Sequence, residues 1–140
     1  MTTGEEAVAA RYPGAVRFTF GDSAALNAEI LALVRAGRKT VTCGELAAFE
    51  ARGEPLTEPG RVDVALDWAG RPALALRTVA VEQIPFDQMT EDRVADQGEF
   101  RDLAHWRAGY EAYLRRAGHF APDALMVVER FEVVQDLADD

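Results

Sequence analysis

The hydrophobic period changes repeatedly along the chain, and the order of those changes constrains the fold more than any other feature. From Ala15 to Phe20, Val16, Phe18 and Phe20 alternate with Arg17 and Thr19, the period of two that marks a half-buried strand. Gly21 ends that run. Asp22 or Ser23 can then cap a helix in which Leu26, Ile30, Leu33 and Val34 recur at helical spacing up to Gly37. Arg38 to Thr42 is too short and too β-branched for a helix and predicts a turn into an extended segment. Gly44 to Arg52 predicts a short helix halted by Gly53, and a turn-rich run follows from Glu54 to Gly60. Strands are predicted at Arg61–Asp67 and Pro72–Leu76, joined across Trp68-Ala69-Gly70-Arg71, with Arg77–Ile84 a further strand or a continuation of the second. Asp87–Gln97 reads as a short helix and Arg101–Ala117 as a longer one with Leu103, Trp106, Tyr110, Tyr113 and Leu114 along one side. Ala124–Val134 is the last strand. Strands at both ends with helices between them depart from regular βαβ alternation. The expected class is α+β, a mixed or antiparallel barrel with surrounding helices, in which the C-terminal strand pairs with an early one and removes exposed edges.

The length of 140 residues fits one core, assigned here to residues 15–137 behind an N-terminal extension, 1–14. No apolar run reaches the roughly 20 residues that span a bilayer, and the first residues lack the order of a secretory signal, so a cytoplasmic protein without a membrane partner is expected. One cysteine, Cys43, and two distant histidines offer neither a disulfide nor metal-ligand spacing, so no metal and no cofactor is expected. The formal charge of -9 disfavours long nucleic acid, because phosphate contacts need local Lys and Arg. Lys39 is the sole lysine.

Gly37-Arg38-Lys39-Thr40-Val41-Thr42 resembles the G-x-K-x-x-T signature of the ASCH family. Phe20-Gly21-Asp22, Phe49-Glu50, Gly53-Glu54-Pro55-Leu56, Arg77-Thr78, Pro85-Phe86, Trp106-Arg107 and Val127-Val128-Glu129-Arg130-Phe131 look like segments of its longer bacterial subgroup, in family order over nearly the whole chain. The resemblance implies a PUA-like barrel and a ligand of RNA or nucleoside type. Small bacterial members similar to this chain hydrolyse the amide of N4-acetylcytidine with a lysine, a threonine and a glutamate, and another member has been described as a ribonuclease. The lysine and threonine carry over to Lys39 and Thr42. The usual glutamate aligns with Gln97, while Glu99 belongs to the same motif. Two residues along a helix is a rotation of about 200°, so Glu99 could replace it only from a loop, for which Gly98 is suited. Tyr110 stands where the subgroup tends to carry a histidine.

Lys39, Thr42 and Glu99 are therefore the candidate catalytic residues, with Gly37, Arg38, Thr40, Gln97, Trp68, Trp106 and Arg107 as candidate substrate contacts. A threonine hydroxyl needs a base, and a lysine serves only if its pKa is lowered, so Lys39 and Thr42 must meet at the predicted turn. Plainer readings stand beside these. Lys39 can complement a helix C-terminus, Thr42 can stabilise a strand, and Trp106 and Tyr110, at i and i+4, can be a core stripe. Three functions remain open: a hydrolase of an acylated pyrimidine nucleoside, a non-catalytic RNA- or nucleotide-binding module, and a ribonuclease acting on single-stranded RNA. The expected oligomeric state is monomer or homodimer. An arginine-lined groove around Arg17, Arg38 and Arg107 would favour RNA; a closed pocket of nucleoside size would favour the hydrolase.

Overall fold

A computed structural model describes residues 4–137. Five strands, β1 (Arg17–Thr19), β2 (Val41–Glu45), β3 (Val62–Leu66), β4 (Pro72–Pro85) and β5 (Leu125–Asp136), form one curled sheet in the order β1-β3-β4-β5-β2. Only the β1–β3 pairing is parallel; β3–β4, β4–β5 and β5–β2 are antiparallel. The expected pairing of the C-terminal strand with an early one is that of β5 with β2, and the sheet is the mixed half-barrel of a PUA-like α+β fold. Pro72–Pro85 is a single strand, bent by register shifts at Ala75/Leu76 and Thr78/Ala80 against β5.

Helices cover both faces. α2 (Ala24–Arg35) starts at Ser23, whose side chain accepts the Leu26 N–H, and puts Ile30, Leu31 and Val34 against Ala65, Leu74, Leu76 and Phe131. On the other face α4 (Glu91–Ala95) and α5 (Leu103–Ala117) pack Val94, Trp106 and Leu114 against Val41, Met126 and Val128. α3 (Leu46–Arg52) ends as expected at Gly53, in the left-handed conformation. The predicted helix at Asp87–Gln97 is broken: Phe86–Gln88 is a 3-10 turn, Met89 is extended and buried, and α4 begins only after Thr90. Burial of Phe86, Met89 and Val94 on one wall demands that break. The N-terminal extension holds helix α1 (Gly4–Arg11), with Val8 buried and the Tyr12 hydroxyl donating to Gln135 Oε1; residues 1–3 lie outside the described ones.

Candidate functional site

The strand faces decide what meets at the site. Thr42 is the register partner of Glu129 across β2–β5, and Asp63 is that of Leu76 across β3–β4, so these side chains share the sheet face that also carries Phe131. Cys43 and Val41 point to the opposite, α5-covered face. β2 is an edge strand, and a cavity of about 630 Å³ opens around that edge, bounded by β2, the concave face of the sheet, α3 and α5. Its walls include Thr42, Glu99, Tyr110, Glu129, Asp63 and Phe18.

Lys39 lies behind this wall. α2 ends at Gly37 with a positive φ of 74°, Arg38 and Lys39 donate back to Leu33, and Thr40 and Val41 donate to the Asp96 carbonyl. The Lys39 side chain is almost wholly buried, and its ammonium donates to Val41 O at 2.7 Å, Gln97 O at 3.3 Å and Glu99 Oε2 at 2.6 Å. Three N–H groups and three acceptors leave none of these bonds for Thr42. Burial lowers the Lys39 pKa, while the charge of Glu99 and its hydrogen bond act in the opposite direction.

Glu99 reaches this position because Gly98 turns the chain. Gly98 has φ of 74°, and a Cβ there would lie 2.6 Å from the Arg38 carbonyl oxygen, so the 96–99 segment sits directly on the Lys39 backbone. Gln97 points the other way. It is fully buried, its Oε1 accepts the Trp106 indole N–H at 3.2 Å, and its Nε2 donates to Arg93 O. Among the sequence-nominated residues, Thr42 and Glu99 thus line the cavity and Lys39 holds Glu99 from behind. Gly37 and Arg38 are exposed at the end of α2, and Thr40 is half-buried with its carbonyl accepting the Phe131 N–H. Trp68 is exposed on the β3–β4 hairpin, and Arg107 is exposed with one contact, at 3.5 Å, to Asp87 O. Trp106 has no exposed surface and is stacked between Phe86, at 5.1 Å, and Tyr110, at 4.9 Å, which makes it core rather than a platform for a base.

Sequence reasoning missed several cavity residues. The Tyr110 hydroxyl donates to Cys43 O at 3.0 Å, and burial holds its pKa well above the ordinary phenol value. Burial likewise pushes the Cys43 thiol up to about 12, against the pull of Lys39, so it stays a thiol at neutral pH. On the floor, Arg61 donates to Thr57 Oγ1 at 3.0 Å and Asp63 Oδ2 at 2.9 Å, beside Glu129. The available signal was phase: Glu129 lies two residues from Phe131, on its face of β5. The lining is acidic. Asp22, Glu45, Glu54, Asp63, Glu99 and Glu129 stand against Arg52 and Arg61.

The ASCH domain family model matches residues 16–135. The chain belongs to the ASCH family. Among solved structures, a protein of Enterococcus faecalis from the family DUF984 is 30% identical, with a TM-score of 0.79 over 89% of this chain and 78% of that one. An ASCH domain from Lactobacillus crispatus is 25% identical, with a TM-score of 0.80 over 91% of this chain and 84% of that one. An ASCH protein of Zymomonas mobilis shares the fold at 10% identity and a TM-score of 0.54, over 87% of this chain and 70% of that one. No curated protein gives a significant match. Among the described residues no helix is long and apolar enough to cross a membrane.

Proposed function

We propose that this ASCH protein hydrolyses the acyl amide of an uncharged modified pyrimidine nucleoside such as N4-acetylcytidine. The reading rests on one observation: Glu99, ion-paired at 2.6 Å to a buried Lys39, lines the same cavity as Thr42. In this reading Thr42 Oγ1 attacks the acyl carbon and its proton passes to the Glu99 carboxylate, which returns it to the departing amine; water then releases the acyl group from Thr42. Lys39 positions Glu99 and is not itself the base. The Val41 and Cys43 carbonyls point to the free edge of β2, where Lys39 and Tyr110 donate to them, and in an antiparallel strand the Cys43 N–H shares that edge. It is the candidate donor for the developing oxyanion, one residue after the nucleophile.

The acidic lining supports a free nucleoside over an RNA strand, since each phosphate brought into the cavity would face an excess of carboxylates. Arg17, Arg38 and Arg107 do not line it, so the groove that an RNA reading calls for is not at this site. The test is release of cytidine from N4-acetylcytidine by the wild type and by Thr42→Ala. Turnover that falls by at least about 10²-fold in the variant is the expected result. An inert wild type, or a fully active Thr42→Ala, contradicts the proposal.

A further inference from the structure

Apart from the Lys39–Glu99 pair, the cavity lining carries a second polar group of residues for which the proposed chemistry has no use. Arg61 spans Thr57 and Asp63 through one nitrogen, at 3.0 and 2.9 Å, and Glu129 lines the same cavity beside them. These side chains come from β3, β5 and the loop before β3, so the strand register fixes their spacing. Yet three buried atoms, Arg61 Nε, Asp63 Oδ1 and Glu129 Oε1, have no hydrogen-bond partner among the described residues. Buried polar atoms are satisfied in nearly all folded proteins, because each one left unpaired forfeits its hydration without return. All four residues line the cavity, so a ligand edge entering there can supply the missing partners once these closed-off atoms turn toward it.

We infer that Thr57, Arg61, Asp63 and Glu129 form a recognition wall for the hydrogen-bonding edge of an uncharged nitrogen heterocycle. The inference rests on the nucleoside reading above and names the group that selects the base. Glu129 is the register partner of Thr42, which puts their Cβ atoms about 4.5–5.5 Å apart, so an edge held by Glu129 lies beside the proposed nucleophile. Burial raises the Glu129 pKa, Asp63 adds to the rise, and Thr57 and Arg61 oppose it. Thr42 of β2 and Val81 of β4, its register partners, bring no charge to Glu129, and Arg52 of α3, which also lines the cavity, is paired to Glu54 at 3.2 Å. A carboxylic acid offers an O–H and a carbonyl side by side, the complement of the N3 acceptor and N4–H donor of cytosine. A phosphate meets Asp63 instead, and a cationic amine would call for an ionised Glu129.

Glutamine keeps the donor and acceptor of the acid form and cannot ionise, which makes it the discriminating substitution. Cytidine is the probe, its affinity measured by calorimetry across pH for wild type, Glu129→Gln, Glu129→Leu and Thr57→Val. Wild-type affinity is expected to fall as pH rises through the Glu129 pKa. Glu129→Gln binds within about threefold of the low-pH wild type and loses the pH dependence; Glu129→Leu binds about tenfold or more weakly, and Thr57→Val falls between. Glu129→Gln as weak as Glu129→Leu overturns the inference by showing that charge is required. Equal affinity in all four proteins, or no binding by the wild type, overturns it as well. Cytidine bound with the expected pattern but no hydrolysis of N4-acetylcytidine breaks the hydrolase reading alone; hydrolysis with unaltered cytidine binding by the variants breaks this one alone.

Discussion

Two carboxyl groups, Glu99 and Glu129, line one cavity from different elements, a loop and β5, and their surroundings differ. Glu99 sits on a loop, retains some exposure, and has an ammonium at 2.6 Å. Glu129 sits in the longest antiparallel pairing of the sheet, and burial, with a smaller contribution from Asp63, raises its pKa. The comparison teaches that residue type does not fix what a carboxyl group can do; its partner and the access of water do.

The largest expected effect comes from breaking the ion pair on its accessible side. Glu99→Ala leaves a buried ammonium with two carbonyls, and the loss expected in chemical denaturation is about 3 kcal/mol. Lys39→Met costs less, about 1 kcal/mol, because the Glu99 carboxylate can turn to water and the apolar chain fills the gap. Equal losses would mean that burial of the two partners does not differ as described. Between these two in size, Gln97→Leu strands the Trp106 indole N–H in the core, for a loss of about 2 kcal/mol. The smallest effect has the opposite sign. Because the folded-state pKa of Glu129 lies above its unfolded value, the folded state holds the extra proton between the two, and stability falls as pH rises through that interval. Glu129→Gln removes the titration, so it should exceed wild type above the folded pKa and match it below the ordinary carboxyl range. Thermal unfolding across pH reads the difference; an unchanging gap would show that Glu129 does not titrate in the folded state.

Much of the scaffold was legible in the sequence, for reasons visible in particular elements. α2 has a capping serine, four apolar positions at helical spacing and a terminal glycine, and each signal is local. The β3–β4 hairpin is set by Asp67, whose carboxylate accepts the Ala69 and Arg71 N–H groups. The break inside Asp87–Gln97 was not legible, because tertiary burial of Met89 overrides a helical pattern. At the site, a motif pointed to Lys39 and Thr42, and Gly98 showed that a loop could exist there; the exchange of position between Gln97 and Glu99 emerges only from the turn. The floor was hidden because a charged residue in a strand reads as an outward one until curvature shows which face encloses the cavity, and Arg61, Asp63 and Glu129 all carry that ambiguity.

The central claim is that Glu99, and not position 97, supplies the working carboxylate. Cytidine release from N4-acetylcytidine by the wild type, Glu99→Gln and Gln97→Glu, compared under one set of conditions, tests it most directly. The account predicts an active wild type, a loss of at least about 10²-fold in Glu99→Gln, and no gain in Gln97→Glu, whose new carboxyl is buried against Trp106. Activity that survives in Glu99→Gln, or that rises in Gln97→Glu, would contradict it.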